Sequence, residues 1–102
     1  MKSLFNKCHE ALTYLLPTDI EHCKSRAIEC SDFYIGNGDK DNGFVHIDLK
    51  VMPGRTTETL EKVTAAIMQI LNLHFTKSSQ SLKLQITLSL HELPTHYLKI
   101  TS

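Results

Sequence analysis

Arg55 is the residue in this chain best placed to do chemistry. It follows the pair Pro53-Gly54 and stands directly before Thr56-Thr57-Glu58, a run that reads as the opening of a helix. Upstream, Val45, Ile47, Leu49 and Val51 alternate with Phe44, His46, Asp48 and Lys50, the period of two of a half-buried strand. Arg55 is therefore expected where the carboxyl end of a strand meets the amino end of a helix, a position at which peptide dipoles favour an anion. A planar guanidinium there can clamp a carboxylate through paired hydrogen bonds. The plainer alternative is a solvated arginine at a turn.

Other candidates are thinner. His46 shares a strand face with Phe44 and Asp48, opposite the aliphatic row; a packed or interface-facing histidine is the better reading, with a catalytic one as the alternative. His46, His91 and His96 lack cysteine or carboxylate partners at spacings a metal site needs. Asp39, Asp41 and Gly43 hint at a calcium loop but lack its later ligands and its bidentate glutamate. No phosphate loop, dinucleotide fingerprint or nucleophile elbow is present.

The elements that must position Arg55 follow from periodicity. Residues 2–16 carry Leu4, Phe5, Cys8, Ala11, Leu12, Leu15 and Leu16 on one helical stripe, and Pro17 ends the pattern. Residues near 23–35 read as a strand, with Arg26, Ile28 and Cys30 on one side and Ala27 and Glu29 on the other. Gly36 to Gly43 is a loop rich in glycine, asparagine and charge, expected to join two antiparallel strands as a hairpin. After the strand of residues 44–51, a second helix is expected over about 57–75, burying Leu60, Val63, Ile67, Ile70, Leu71, His74 and Phe75. Residues 81–92 alternate cleanly. Leu82, Leu84, Ile86, Leu88 and Leu90 face in, while Lys83, Gln85, Thr87, Ser89 and His91 face out.

Composition bounds the function classes. A chain of 102 residues is one domain with room for a single core. Its 11 basic residues match its 11 acidic ones, which argues against nucleic acid or a membrane surface as partner and does little to oppose self-association. There is no apolar run of membrane-spanning length and no signal-peptide pattern, so a cytoplasmic location is expected. Cys8, Cys23 and Cys30 are odd in number and lack metal-like spacing, as suits reduced thiols.

The stretch GFVHIDLKVMPGRTTETLEKV, Gly43 to Val63, resembles the 5-carboxymethyl-2-hydroxymuconate isomerase family of the tautomerase superfamily. Members read FVH-x-x-LK, two or three small residues, then GR before a long helix. The resemblance runs from about Leu4 to Lys99, through SRAIECSDFYIGNG and LSLHELPTHYLK. It implies an α+β fold of βαββαβ order, a mixed four-stranded sheet with two helices on one face, assembled as a homotrimer around its sheets. It also implies that this chain, beginning MKSLF at the family's first helix, carries three of the strands and lacks the first. That strand and its connection amount to roughly fifteen residues.

The family's base is a proline at the head of that first strand. A terminal proline is a secondary amine that an apolar or cationic site can keep neutral, and in that state it can move a proton from one atom of a dienol to another. Pro17, Pro53 and Pro94 are internal, so no catalytic residue of this kind is present. A start placed too late, a remnant without activity, or a chain kept for binding would each produce this pattern. The resemblance also assigns carboxylate binding to Arg55, to Arg26, and to Lys24, which stands where the family has arginine and offers a point charge in place of a fork; two exposed strand charges are the alternative for the pair. His46 matches the histidine of FVH. The implied function is a cofactor-independent isomerase or tautomerase of an unsaturated 2-hydroxy carboxylate in aromatic-compound breakdown, needing no metal. The alternative is a non-catalytic oligomeric domain that binds small acids or a protein.

Overall fold

The computed structural model describes residues 1–76, 83–94 and 96–100. Helix α1 spans Lys2–Leu15, strand β1 Asn42–Val51, helix α2 Thr57–His74 and strand β2 Lys83–Glu92, with a 3-10 turn at Ile20–His22. The expected α+β class holds, and each regular element lies within two residues of the bounds that periodicity suggests.

The two strands are parallel neighbours, in register from Asn42 beside Lys83 to Val51 beside Glu92. Parallel strands need a crossover, and α2 supplies it. Val45, Ile47 and Leu49 are half-buried and Val51 is buried, whereas Phe44, His46, Asp48 and Lys50 are exposed. The alternation therefore puts one face of the sheet under the helices and leaves the other open. Strand β2 repeats the pattern with one change: Ser89, expected outward, is half-buried. Leu82 falls outside the described residues.

The core is built from the two helices. Val63, Ile67 and Leu71 of α2 are 0%, 3% and 1% exposed, and Leu4 and Leu12 of α1 join them. Ile47, Leu49, Ile86, Leu88 and Leu90 pack against this cluster from the sheet. Helix α2 packs on β2, and α1 packs beside α2. Each side chain buried among these aliphatics contributes about 1.5–3 kcal/mol. The helical stripe fails at one position: His74 is exposed, its ring edge-to-face with Phe75 at 4.8 Å between centroids. Imidazole hydrogen-bonds best in water, so the last turn rolls it outward and leaves Phe75 to the core.

One expected element is absent. Residues 24–30 form no ladder and no helix and are exposed throughout, Ile28 to 78%. The expected antiparallel hairpin does not form either, because β1 is hydrogen-bonded to β2 and, among the described residues, to nothing on its other edge. An extended segment becomes a strand only with a partner for its backbone groups. The arms around the loop meet through side chains: Asn42 Nδ2 donates to the Ile35 carbonyl at 3.2 Å, and the Phe33 and Phe44 rings stand edge-to-face at 6.4 Å. Gly38 turns the loop with φ +83°, and a Cβ there would lie 2.6 Å from the Tyr34 ring. Only glycine fits.

No helix among the described residues is long and apolar enough to cross a membrane.

Candidate functional site

Strand β1 ends at Val51, whose carbonyl accepts from the Leu93 amide at 2.7 Å just past the end of β2. The chain then turns through Met52, Pro53 and Gly54, the last at φ +113°, and enters α2. Thr56 caps the helix: its Oγ1 accepts from the Thr59 amide at 3.2 Å, and its carbonyl takes the first intrahelical bond from the Leu60 amide at 3.1 Å. Arg55 lies between turn and cap, half-buried, and its Nη1 donates to the Met52 carbonyl at 2.9 Å. One side of the guanidinium fork thus ties the turn together. The remaining donors stay available beside the amino end of α2, where the dipole and unpaired amides add positive potential. Glu58, in the first turn of α2, pairs with Lys62 at 3.4 Å. The arrangement is suited to hold one carboxylate.

Lys24 and Arg26 lie in the exposed stretch without a ladder. Neither forms an ion pair among the described residues. The residue between them is held: His9 Nε2 of α1 and Ser25 Oγ are 2.6 Å apart. Nothing in the sequence signals this contact, because the two residues are sixteen positions apart and belong to different elements.

His46 sits on the open face of the sheet as expected, in a network that crosses both strands. Its Nδ1 lies 2.7 Å from Thr87 Oγ1 and its Nε2 3.1 Å from Asp48 Oδ1. His91 Nε2 approaches the same oxygen at 3.7 Å. Alternation alone puts His46 with Asp48; bringing in Thr87 and His91 requires the parallel register. No group of three or more histidine, cysteine or acidic side chains among the described residues has the geometry to hold a metal. Of the loop acids, Asp39 is engaged. Asp39 accepts from the Asp41 amide at 2.9 Å and from Lys83 Nζ at 3.2 Å, and these bonds, the backbone one first, hold its carboxyl below the usual range.

An open groove of about 530 Å³ runs between α2 and β2, lined by Met68, Gln69, Asn72, Leu84 and Ile86. It presents no charge and does not include Arg55, so it does not suit an acidic ligand. The three cysteines are free, and burial pushes the Cys8 thiol up from its ordinary value.

Comparison with known proteins agrees with the fold. The chain is similar to the crystal structure of a 5-carboxymethyl-2-hydroxymuconate isomerase from Deinococcus radiodurans R1, with a TM-score of 0.89 at 19% identity over 99% of this chain and 78% of that one. At that identity the likeness carries the fold and nothing further. No curated protein matches. The model of the 5-carboxymethyl-2-hydroxymuconate isomerase family matches residues 1–101, and the chain belongs to that family.

Proposed function

We propose that this protein is a cofactor-independent isomerase of an unsaturated 2-hydroxy carboxylate such as 5-carboxymethyl-2-hydroxymuconate, acting in the breakdown of aromatic compounds. The observation that carries this reading is the family match over residues 1–101, with Arg55 fixed at the strand-to-helix junction by its bond to Met52. In the reaction a base removes the proton of the enol hydroxyl. The O–H electron pair becomes the carbonyl bond, the double bonds shift, and a carbon at the far end of the conjugated system takes up a proton. Charge builds on the enolate oxygen and is spread along the conjugated chain toward the carboxylates. A guanidinium at a carboxylate lowers the cost of that charge, and losing one such donor in comparable sites costs about 3 kcal/mol.

In this reading the base is the one the family resemblance implies, a terminal proline whose amine is neutral near physiological pH. Pro17, Pro53 and Pro94 are internal, and an amide nitrogen does not accept protons. The reading therefore assigns the base to a proline-headed strand preceding Met1. Three observations support it: β1 has no partner on its second edge among the described residues, residues 24–30 lie without a ladder, and α1 packs beside α2. A strand beside β1 would meet all three. Assembly as a homotrimer through the open sheet face belongs to the same reading, and a subunit-sized mass in sedimentation would contradict it. The test of function is turnover by the protein purified from its native source. Arg55→Ala should cut kcat/KM at least tenfold, a loss of about 1.4 kcal/mol or more in transition-state binding; an unchanged value removes Arg55 from the site.

A further inference from the structure

Helices α1 and α2 cover one face of the sheet, and the other face is open. Parallel strands are normally covered on both faces. The uncovered side is mostly polar. Phe44 stands at one end of it, 50% exposed. Beyond it come His46, Asp48 and Lys50 on β1, beside Thr87 and His91 on β2, all exposed. A strand added next to β1 extends the sheet at its edge and leaves this face as it is.

The charges on the face are unequally engaged. Both contacts to Asp48 fall on one oxygen: His46 Nε2 lies 3.1 Å and His91 Nε2 3.7 Å from Oδ1. The other oxygen, Oδ2, has no partner among the described residues, and the side chain is 57% exposed. Lys50 stands two residues on in the same row and forms no ion pair among the described residues. Lys83, at the start of β2, is already paired with Asp39 at 3.2 Å. With histidine neutral, the face therefore offers one carboxylate with an open oxygen and one ammonium without a counter-ion. A second copy of this chain fits such a face, because it returns the same two charges.

We propose that neighbouring copies close the open face, with Lys50 of each subunit seated on Asp48 of the next. This rests on the homotrimer reading above and names the contact that closes the ring. In a cyclic trimer each ammonium meets one carboxylate and each carboxylate one ammonium, so no charge is left unpaired. His46, held by Thr87 Oγ1 at 2.7 Å, grips the carboxylate by Oδ1 and leaves Oδ2 for the neighbour. His46 and Lys50 fall on fixed positions of FVH-x-x-LK and Asp48 on an open one, so the contact is particular to this chain.

The test is sedimentation equilibrium of the full native chain and its variants, with circular dichroism on each sample to show that it is folded. Wild type should sediment as a trimer. Lys50→Asp sets two acids against each other and should leave single subunits, as should Asp48→Lys, which sets two cations together. The exchange of both, Asp48→Lys with Lys50→Asp, reverses the pair and should restore the trimer to within about tenfold of wild-type Kd. Asp48→Asn can still accept from His46 but loses the charge, and should weaken assembly about tenfold or more. A trimer undisturbed by Lys50→Asp or by Asp48→Asn would overturn the contact and leave the homotrimer reading standing. A folded double exchange that stays as single subunits would overturn it too. If wild type itself sediments as one subunit, the homotrimer reading fails, and this contact fails with it.

Discussion

Arg55 Nη1 and the Met52 carbonyl are 2.9 Å apart, so the side chain that would hold the substrate also closes the turn that delivers it. The bond anchors one nitrogen of the guanidinium to the turn. Lysine has no second nitrogen with which to keep the turn closed while reaching a ligand. Arg55→Lys should therefore recover less than half of the affinity lost in Arg55→Ala, measured calorimetrically as the Kd for cis,cis-muconate, an unsaturated dicarboxylate. Full recovery by lysine would show that charge alone suffices and that the fork is idle.

Thr56 makes the cap that starts α2, accepting from the Thr59 amide at 3.2 Å. Thr56→Ala should cost about 1 kcal/mol of unfolding free energy in urea, and Thr56→Gly only a few tenths. Equal losses in the two variants would mean that the hydroxyl contributes through its bond to Thr59 Oγ1 or through shape.

Asp39 is held ionised by the Asp41 amide and then by Lys83. A carboxylate whose folded pKa lies below its unfolded value of about 3.9 stabilises the fold above that value and loses the contribution as pH falls through the folded one. Asp39→Asn should therefore flatten the decline in stability below about pH 4 while leaving the slope above about pH 5 unchanged. Urea midpoints across that range would show it, and an identical acid limb in both proteins would refute it.

Cys8 is half-buried against the helical core, whereas Cys30 is exposed. Burial raises the Cys8 thiol, so its neutral form is favoured in the folded chain. That stability is present below the ordinary thiol value and is lost as pH rises through the raised one. Iodoacetamide should modify Cys30 well before Cys8 in the native protein, and urea should erase the difference. Mass spectrometry of timed samples would decide; equal native rates would contradict the packing of α1.

The four long elements are legible in the sequence because each carries its own period: Leu4, Cys8, Ala11 and Leu12 in α1, Val63, Ile67 and Leu71 in α2, and the alternating rows of β1 and β2. Residues 23–35 show what periodicity leaves out. Alternation there describes a segment able to pair, and pairing depends on a partner elsewhere in the fold. Arg55 could be placed because a strand end, a turn and a cap are consecutive in the chain. The contact between His9 and Ser25, and the approach of His91 to Asp48, depend on register and on the position of α1, and no local pattern encodes either. Helical phase puts His74 on the buried stripe, while the polarity of its ring turns it to water in the last turn of α2.

The most direct test of the central claim is turnover of 5-carboxymethyl-2-hydroxymuconate by the protein from its native source, with its amino terminus sequenced on the same sample. The account predicts a chain headed by proline and a loss of dienol absorbance that is first order in enzyme and at least tenfold slower, in kcat/KM, for Arg55→Ala. A folded, proline-headed protein that converts the dienol no faster than buffer would contradict it.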